Sequence, residues 1–162
     1  MKRALLLIPI LFFGQSVVAD EEPMAISLQR LSLDTTVKIA RATIDACRAK
    51  GIQISVTVVD RHGLVQTVMR DTVAPPISLE ISRQKAFTAV NFGASTSQLV
   101  DRASTSIGRI DGLVMSAGGV LIQAAGQILG GVGVSGAPSG VTDEECAQAG
   151  IDAVADDLEM EL

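Results

Sequence analysis

The chain has 162 residues, with 18 acidic and 13 basic side chains for a net charge of −5, and four phenylalanines but no tryptophan or tyrosine. An acidic surface repels phosphate backbones, and a chain so poor in aromatic rings lacks the stacking platforms that hold single strands, so no nucleic-acid partner is expected. The length suffices for one ordinary domain with a full core.

Lys2 and Arg3 form a positive start, Ala4 to Phe13 a short and nearly all-apolar run, and Val17-Val18-Ala19 supplies small residues ahead of Asp20. This order reads as a secretory signal peptide over residues 1–19, too short and wrongly flanked to be a spanning helix. A single mature domain, residues 20–162, periplasmic or secreted, is the expectation. After signal removal the apolar stretches are short and broken by glycine, so no membrane insertion is expected. Export permits a disulfide between Cys47 and Cys146, while two small buried thiols is the alternative. Neither cysteine sits in a CxxC or CxxCH motif.

In chain order, Asp20 to Leu31 is an irregular lead-in. Ser32 reads as the N-cap of a first helix, with Asp34 in the first turn, Gly51 past its end, and an apolar stripe of Leu33, Val37, Ala40, Ile44 and Cys47. Ile52, Ile54, Val56 and Val58 alternate with Gln53, Ser55 and Thr57, the pattern of a half-buried strand. Asp60-Arg61-His62-Gly63 turns the chain, and Leu64 to Arg70 returns as its hairpin partner. After the Pro75-Pro76 pair, Ile77, Ile81, Lys85 and Thr88 keep helical spacing as far as Asn91, and Gly93 stops the helix. Ala94 to Ser106 reads as a shorter helix capped by Ser95 or Thr96. Ile107 to Ala117 is ambiguous. Val120 to Gln123, the turn Ala125-Gly126 and Gln127 to Ser135 make a second hairpin. Thr142-x-x-Glu145 reads as a capping box that opens the last helix, with Ala147, Ile151, Val154 and Leu158 on its inner face. The order α-β-β-α-α-β-β-α, with strands joined by tight turns, predicts an α+β fold: a small antiparallel sheet of two hairpins with flanking helices.

Gly131-x-Gly133-x-x-Gly136 spells the dinucleotide-binding fingerprint, which works only as a turn between a parallel strand and a helix. Here Ile128, Val132 and Val134 carry a strand pattern through the glycines, and a proline-containing loop precedes the next helix. The glycines are expected to bare one sheet face so that a helix or a flat ligand can approach the backbone.

Several blocks together resemble the GlcG/HbpS family of haem-binding-like proteins. They are Ser32-Leu33-Asp34-Thr35, Val56-Thr57-Val58-Val59-Asp60, Ser82 through Ala89 with Phe92-Gly93, Gly118 through Ile122, and Gly131 through Ala137 with Asp143 through Gly150. The resemblance implies a profilin-like sandwich that assembles into homo-oligomers, related to the C-terminal domain of PduO-type proteins. It also implies an exported, soluble haem-binding protein that holds haem b non-covalently for transport, storage or sensing. The family turn reads Asp-x-Gly-Gly-His-Leu, whereas Asp60-Arg61-His62-Gly63-Leu64 moves the histidine earlier and drops a glycine. His62 is the sole imidazole able to ligate haem iron, with Met69 and Met115 as second ligands and Arg61, Arg70, Arg83 and Lys85 as partners for propionates. The alternative is a small-molecule-binding protein or enzyme acting on a hydroxy-acid-like metabolite, with Asp60, Arg83 or Lys85 taking part. A nucleophile elbow and metal-ligand spacings are missing from the sequence, which disfavours an enzyme.

Overall fold

The protein was analysed as a computed structural model that describes residues 23–162. The expected signal peptide, residues 1–19, lies outside the described residues. In chain order the elements are α1 (Leu33–Ala49), β1 (Ser55–Asp60), β2 (Val65–Arg70), α2 (Ile77–Phe92), two 3-10 segments (Thr96–Ser104 and Ile107–Arg109), β3 (Gly119–Ala124), β4 (Gln127–Ser135) and α3 (Gly140–Glu161). The strands form one sheet in the order β2-β1-β4-β3, every neighbouring pair antiparallel. Both predicted hairpins are present, and β1 and β4 bring them together at the centre.

The sheet divides two unlike interiors. On one face Val56, Val58, Ile122, Val132 and Val134 pack with Ile39, Ile44, Ala147, Ile151 and Val154 of α1 and α3 in a dry core. Cys47 of α1 and Cys146 of α3 are fully buried there and joined as a disulfide, Cα–Cα 5.5 Å. The helices approach closely at Gly150, where an added Cβ would lie 1.9 Å from Thr43 Oγ1.

On the other face α2 lies against β4, β1 and β3 and touches β2 least. Its inner row is small and hydroxylic. Ser78 Oγ bonds Ser55 Oγ at 2.8 Å, Ser82 Oγ bonds Thr57 Oγ1 at 2.9 Å, and Ala86 and Val90 pack on Val59. Four residues of helix rise about 6 Å and two residues of strand about 6.8 Å, so α2 and β1 step along each other nearly in register. β1 is therefore buried on both faces. Its alternation reflects two kinds of interior and not one wet side, which corrects the half-buried reading.

Three other expectations change. The inward faces of α1 and α2 include hydroxyl residues that the expected stripes leave out: Thr36 and Thr43 on α1, Ser78 and Ser82 on α2. Leu33 and Ile77, expected inside, are exposed. Each of those hydroxyls donates to a carbonyl three or four residues back, which satisfies it inside the protein. The segment after Gly93 is 3-10 in place of α, because only Thr96 and Leu99 are buried and a spacing of three suits the tighter helix. Finally α3 starts at Gly140, with Ser139 Oγ accepting from Val141 N, and not with a Thr142–Glu145 box. Glu145 instead pairs with Lys50.

Candidate functional site

The β1–β2 turn is built by Asp60, a buried residue whose Oδ1 accepts from His62 N at 2.8 Å and Leu64 N at 3.0 Å. Gly63 takes φ +82 and rests on Phe87 and Asn91 of α2, so the turn is braced from below. His62 is thereby held exposed at the hairpin tip. Arg30, from the lead-in, places its guanidinium 3.5 Å from His62 Nδ1 and 3.6 Å from Asp60 Oδ2. A guanidinium only donates, so this contact makes Nδ1 an acceptor and favours the tautomer with its proton on Nε2.

From this tip runs an apolar strip. Gln66 is a bulge residue, unpaired between Val58↔Thr67 and Val59↔Val65. The bulge puts Val65 and Val68 on the α2 side of the sheet, beyond the helix's reach, where they and Leu64 are roughly half exposed or more. Arg70, on the same side, donates to Ala74 O at the far end. Arg61 sits in the turn itself. The tip thus joins an imidazole, an apolar strip and cations at both ends.

The remaining predicted residues are elsewhere. Lys85 is buried; its ammonium donates to Asp143 Oδ2 at 2.9 Å and Val134 O at 3.0 Å, tying α2 to α3 and β4. It is a structural ion pair and is not available to a propionate or a substrate. Burial pushes the Asp143 carboxyl up from the ordinary carboxylate range, against the pull of Lys85 and of Ala137 N. Arg83 is engaged by Glu80 one turn back, which raises the guanidinium and lowers the carboxyl. Met69 is half-buried against the α1 core, on the opposite face from Val68, and Met115 is buried. Neither shares the tip with His62. Asp60, a candidate for chemistry, is committed to the turn. Among the described residues no three His, Cys, Asp or Glu side chains gather to hold a metal ion, and no helix is long and apolar enough to cross a membrane. Arg30 went unnoticed in the sequence, since nothing local to an irregular lead-in says that it returns to a turn thirty residues on.

The fold is an antiparallel α+β sandwich with an imidazole, an apolar strip and arginines on one rim. The chain belongs to the HbpS-like family: the family model, described as haem degrading protein HbpS-like, matches residues 31–152. A double mutant of Streptomyces reticuli HbpS is 36% identical at a TM-score of 0.77, covering 88% of this chain and 99% of that one. PduOC, solved as a complex with haem, is 27% identical at a TM-score of 0.71, covering 77% of this chain and 95% of its own. The corrinoid adenosyltransferase PduO of Salmonella typhimurium is 28% identical over 142 residues, 83% of this chain. The chain spans about two fifths of the length of that enzyme, 40%. The family and the α+β framework read from the sequence are borne out, with 3-10 segments in place of the second α of the expected α-β-β-α-α-β-β-α order.

Proposed function

We propose that this protein is an exported, homo-oligomeric haem-binding protein that holds haem b without a covalent link, at the β1–β2 rim. The observation that carries the reading is the match to PduOC, a relative solved with haem. The rim supports it in kind. An imidazole nitrogen is a common axial ligand to haem iron, an apolar strip suits the face of a porphyrin, and arginines suit its carboxylates. Leu64, Val65 and Val68 are the strip, with Arg61 and Arg70 at its ends. Nε2 of His62 carries no hydrogen bond among the described residues, yet it bears the proton in the tautomer Arg30 favours. Ligation therefore requires the Arg30 contact to yield, which a 3.5 Å contact from a half-exposed arginine with Asp60 as its other partner allows.

Titration of the purified protein with hemin tests the reading. A saturable Soret shift at micromolar haem is expected, altered in band position by His62→Ala. Arg30→Gln, which frees Nδ1, is expected to tighten binding several-fold. A wild-type spectrum indistinguishable from free hemin overturns haem binding. A shift unchanged by His62→Ala removes the imidazole from the site.

A further inference from the structure

We propose that residues 23–29, the irregular arm ahead of α1, seat as an added strand along the β3 edge of a second copy of this chain. The inference rests on the self-association proposed above and names its contact. In the arm Met24, Ile26 and Leu28 alternate with Ala25, Ser27 and Gln29, and the three apolar side chains are 106%, 71% and 42% exposed. That is the pattern of a strand with one apolar face, and in its own chain that face is uncovered. The arm is anchored at its base, where Leu31 is buried, Leu31 O accepts from Gln66, and Arg30 meets Asp60 and His62.

The sheet has two outer edges, and only one is receptive. The β2 edge is blunted by the bulge at Gln66 and by the chain's own entry at Leu31, both devices that discourage strand addition. The β3 edge pairs with β4 alone. Its first outward amide, Gly119 N, is taken by Thr96 Oγ1, and beyond it a cleft of about 400 Å³ opens between the 3-10 segment and α3. The cleft is lined more by polar than by apolar surface: Leu121 and Ala155, with the buried Val120 and Ile151, give its apolar part, while Gln98, Gln123, Gln148 and Asp152 bring polar groups that suit the hydrogen-bonding edge of an added strand. Fully extended, the seven arm residues would span roughly 23 Å against roughly 17 Å for the five β3 residues beyond Gly119, at about 3.3 Å per residue, so the arm is long enough to line that edge. An arm of one copy in the cleft of the next is a head-to-tail contact, which closes into a ring or a reciprocal pair.

The test uses the full mature chain. Light scattering with size exclusion is run on the wild type and on Ile26→Asp/Leu28→Asp, and an Ile26→Cys/Gln123→Cys variant is oxidised; the native cysteines are buried and already paired. The proposal expects an oligomeric wild type, at least tenfold weaker association in the Asp variant, and disulfide-linked species of two or more chains. An oligomer that the Asp substitutions leave intact overturns the arm's role while self-association stands. A monomeric wild type overturns self-association itself. Cross-linking confined to single chains shows the arm folding back on its own cleft and overturns exchange.

Discussion

Gly133→Ala is the sharpest trial of how the sheet and α2 fit. Gly133 lies two residues before the end of β4, and a Cβ built on it falls 1.9 Å from Ser82 O, 2.5 Å from Ala86 N and 3.0 Å from the Ala86 methyl. Ordinary contact begins near 3.4 Å, so α2 has to lift by about 1.5 Å, a backbone shift of the kind that makes overpacking costly. Lifting stretches the Ser55–Ser78 and Thr57–Ser82 bonds and the Lys85 bond to Val134 O, each a buried contact worth about 1 kcal/mol. Strain and lost bonds together come to roughly 3–5 kcal/mol, or a fall in Tm on the order of 10 °C for a domain of this size. Gly51→Ala is the control: at φ +74 with nothing within 4 Å, it carries only the left-handed penalty of about 1 kcal/mol. Thermal and urea unfolding followed by circular dichroism measure both. Because the clash is with main chain, Ser82→Gly does not rescue it. A Gly133→Ala protein that melts no lower than Gly51→Ala refutes the close-approach reading of the glycine motif.

Three further outcomes are expected. Lys85→Met strands the Asp143 carboxylate inside the protein and is expected to destabilise it by about 3–5 kcal/mol at pH 7; because burial raises Asp143, stability recovers as acid protonates it, and Asp143→Leu on the same background restores part of the loss at neutral pH, all read by urea melts. Cys47→Ser/Cys146→Ser opens a cross-link between residues 99 apart in sequence and lowers stability by roughly 4–5 kcal/mol in the chain-entropy account, checked against the oxidised wild type. The Arg48 guanidinium, at 2.7 Å from both Asp71 oxygens, lowers the Asp71 carboxyl from 3.8 to about 2; its ionised form stabilises the fold fully above the unfolded pKa, and that contribution fades as pH falls through about 2, so the stability difference between wild type and Asp71→Asn shrinks across that window.

The strands and turns were legible because their punctuation is chemical: Asp60 and Gly63 bound one hairpin, Ala125-Gly126 the other, and β4 runs over the span its alternation marks. Helix faces were less legible. Thr36, Thr43, Ser78 and Ser82 fall outside the apolar stripes by which the helix faces were read, and each is tolerated in the interior because its own helix supplies an acceptor. Lys85 shows the same error from the other side. Its spacing with Ile81 and Thr88 put it on the inner face, but a lysine invites a ligand, and the partner that neutralises it, Asp143, is 58 residues away. Of the proposed rim, His62, Arg61 and Arg70 could be picked from the sequence. Arg30 and the exposure of Val65 and Val68 were not, since both depend on a bulge and a returning lead-in that no local pattern encodes.

The glycines and hydroxyls that bring α2 onto the sheet also decide where a ligand can go. Gly131 and Gly133 lower the β4 surface so far that α2 fills it: a Cβ at Gly131 would sit 2.7 Å from Val90 Cγ2, and one at Gly133 1.9 Å from the main-chain Ser82 O. The hydroxyl pairs then occupy the space beside β1 with mutual bonds and leave no open polar group for a guest. On the opposite face the disulfide and the Gly150–Thr43 contact hold α1 and α3 together over a dry core. Neither interior holds room for a flat cofactor without unpacking. The two proposed contacts accordingly use the margins of the sheet: the β2 margin, where α2 stops short and His62 stands clear, and the β3 margin, where an edge strand faces an open cleft. Haem held through an imidazole needs that imidazole beside an apolar plane, and a neighbour's strand needs free amides beside apolar side chains. The first set occurs only at the β2 margin among the described residues, which is why the two roles are assigned to opposite edges.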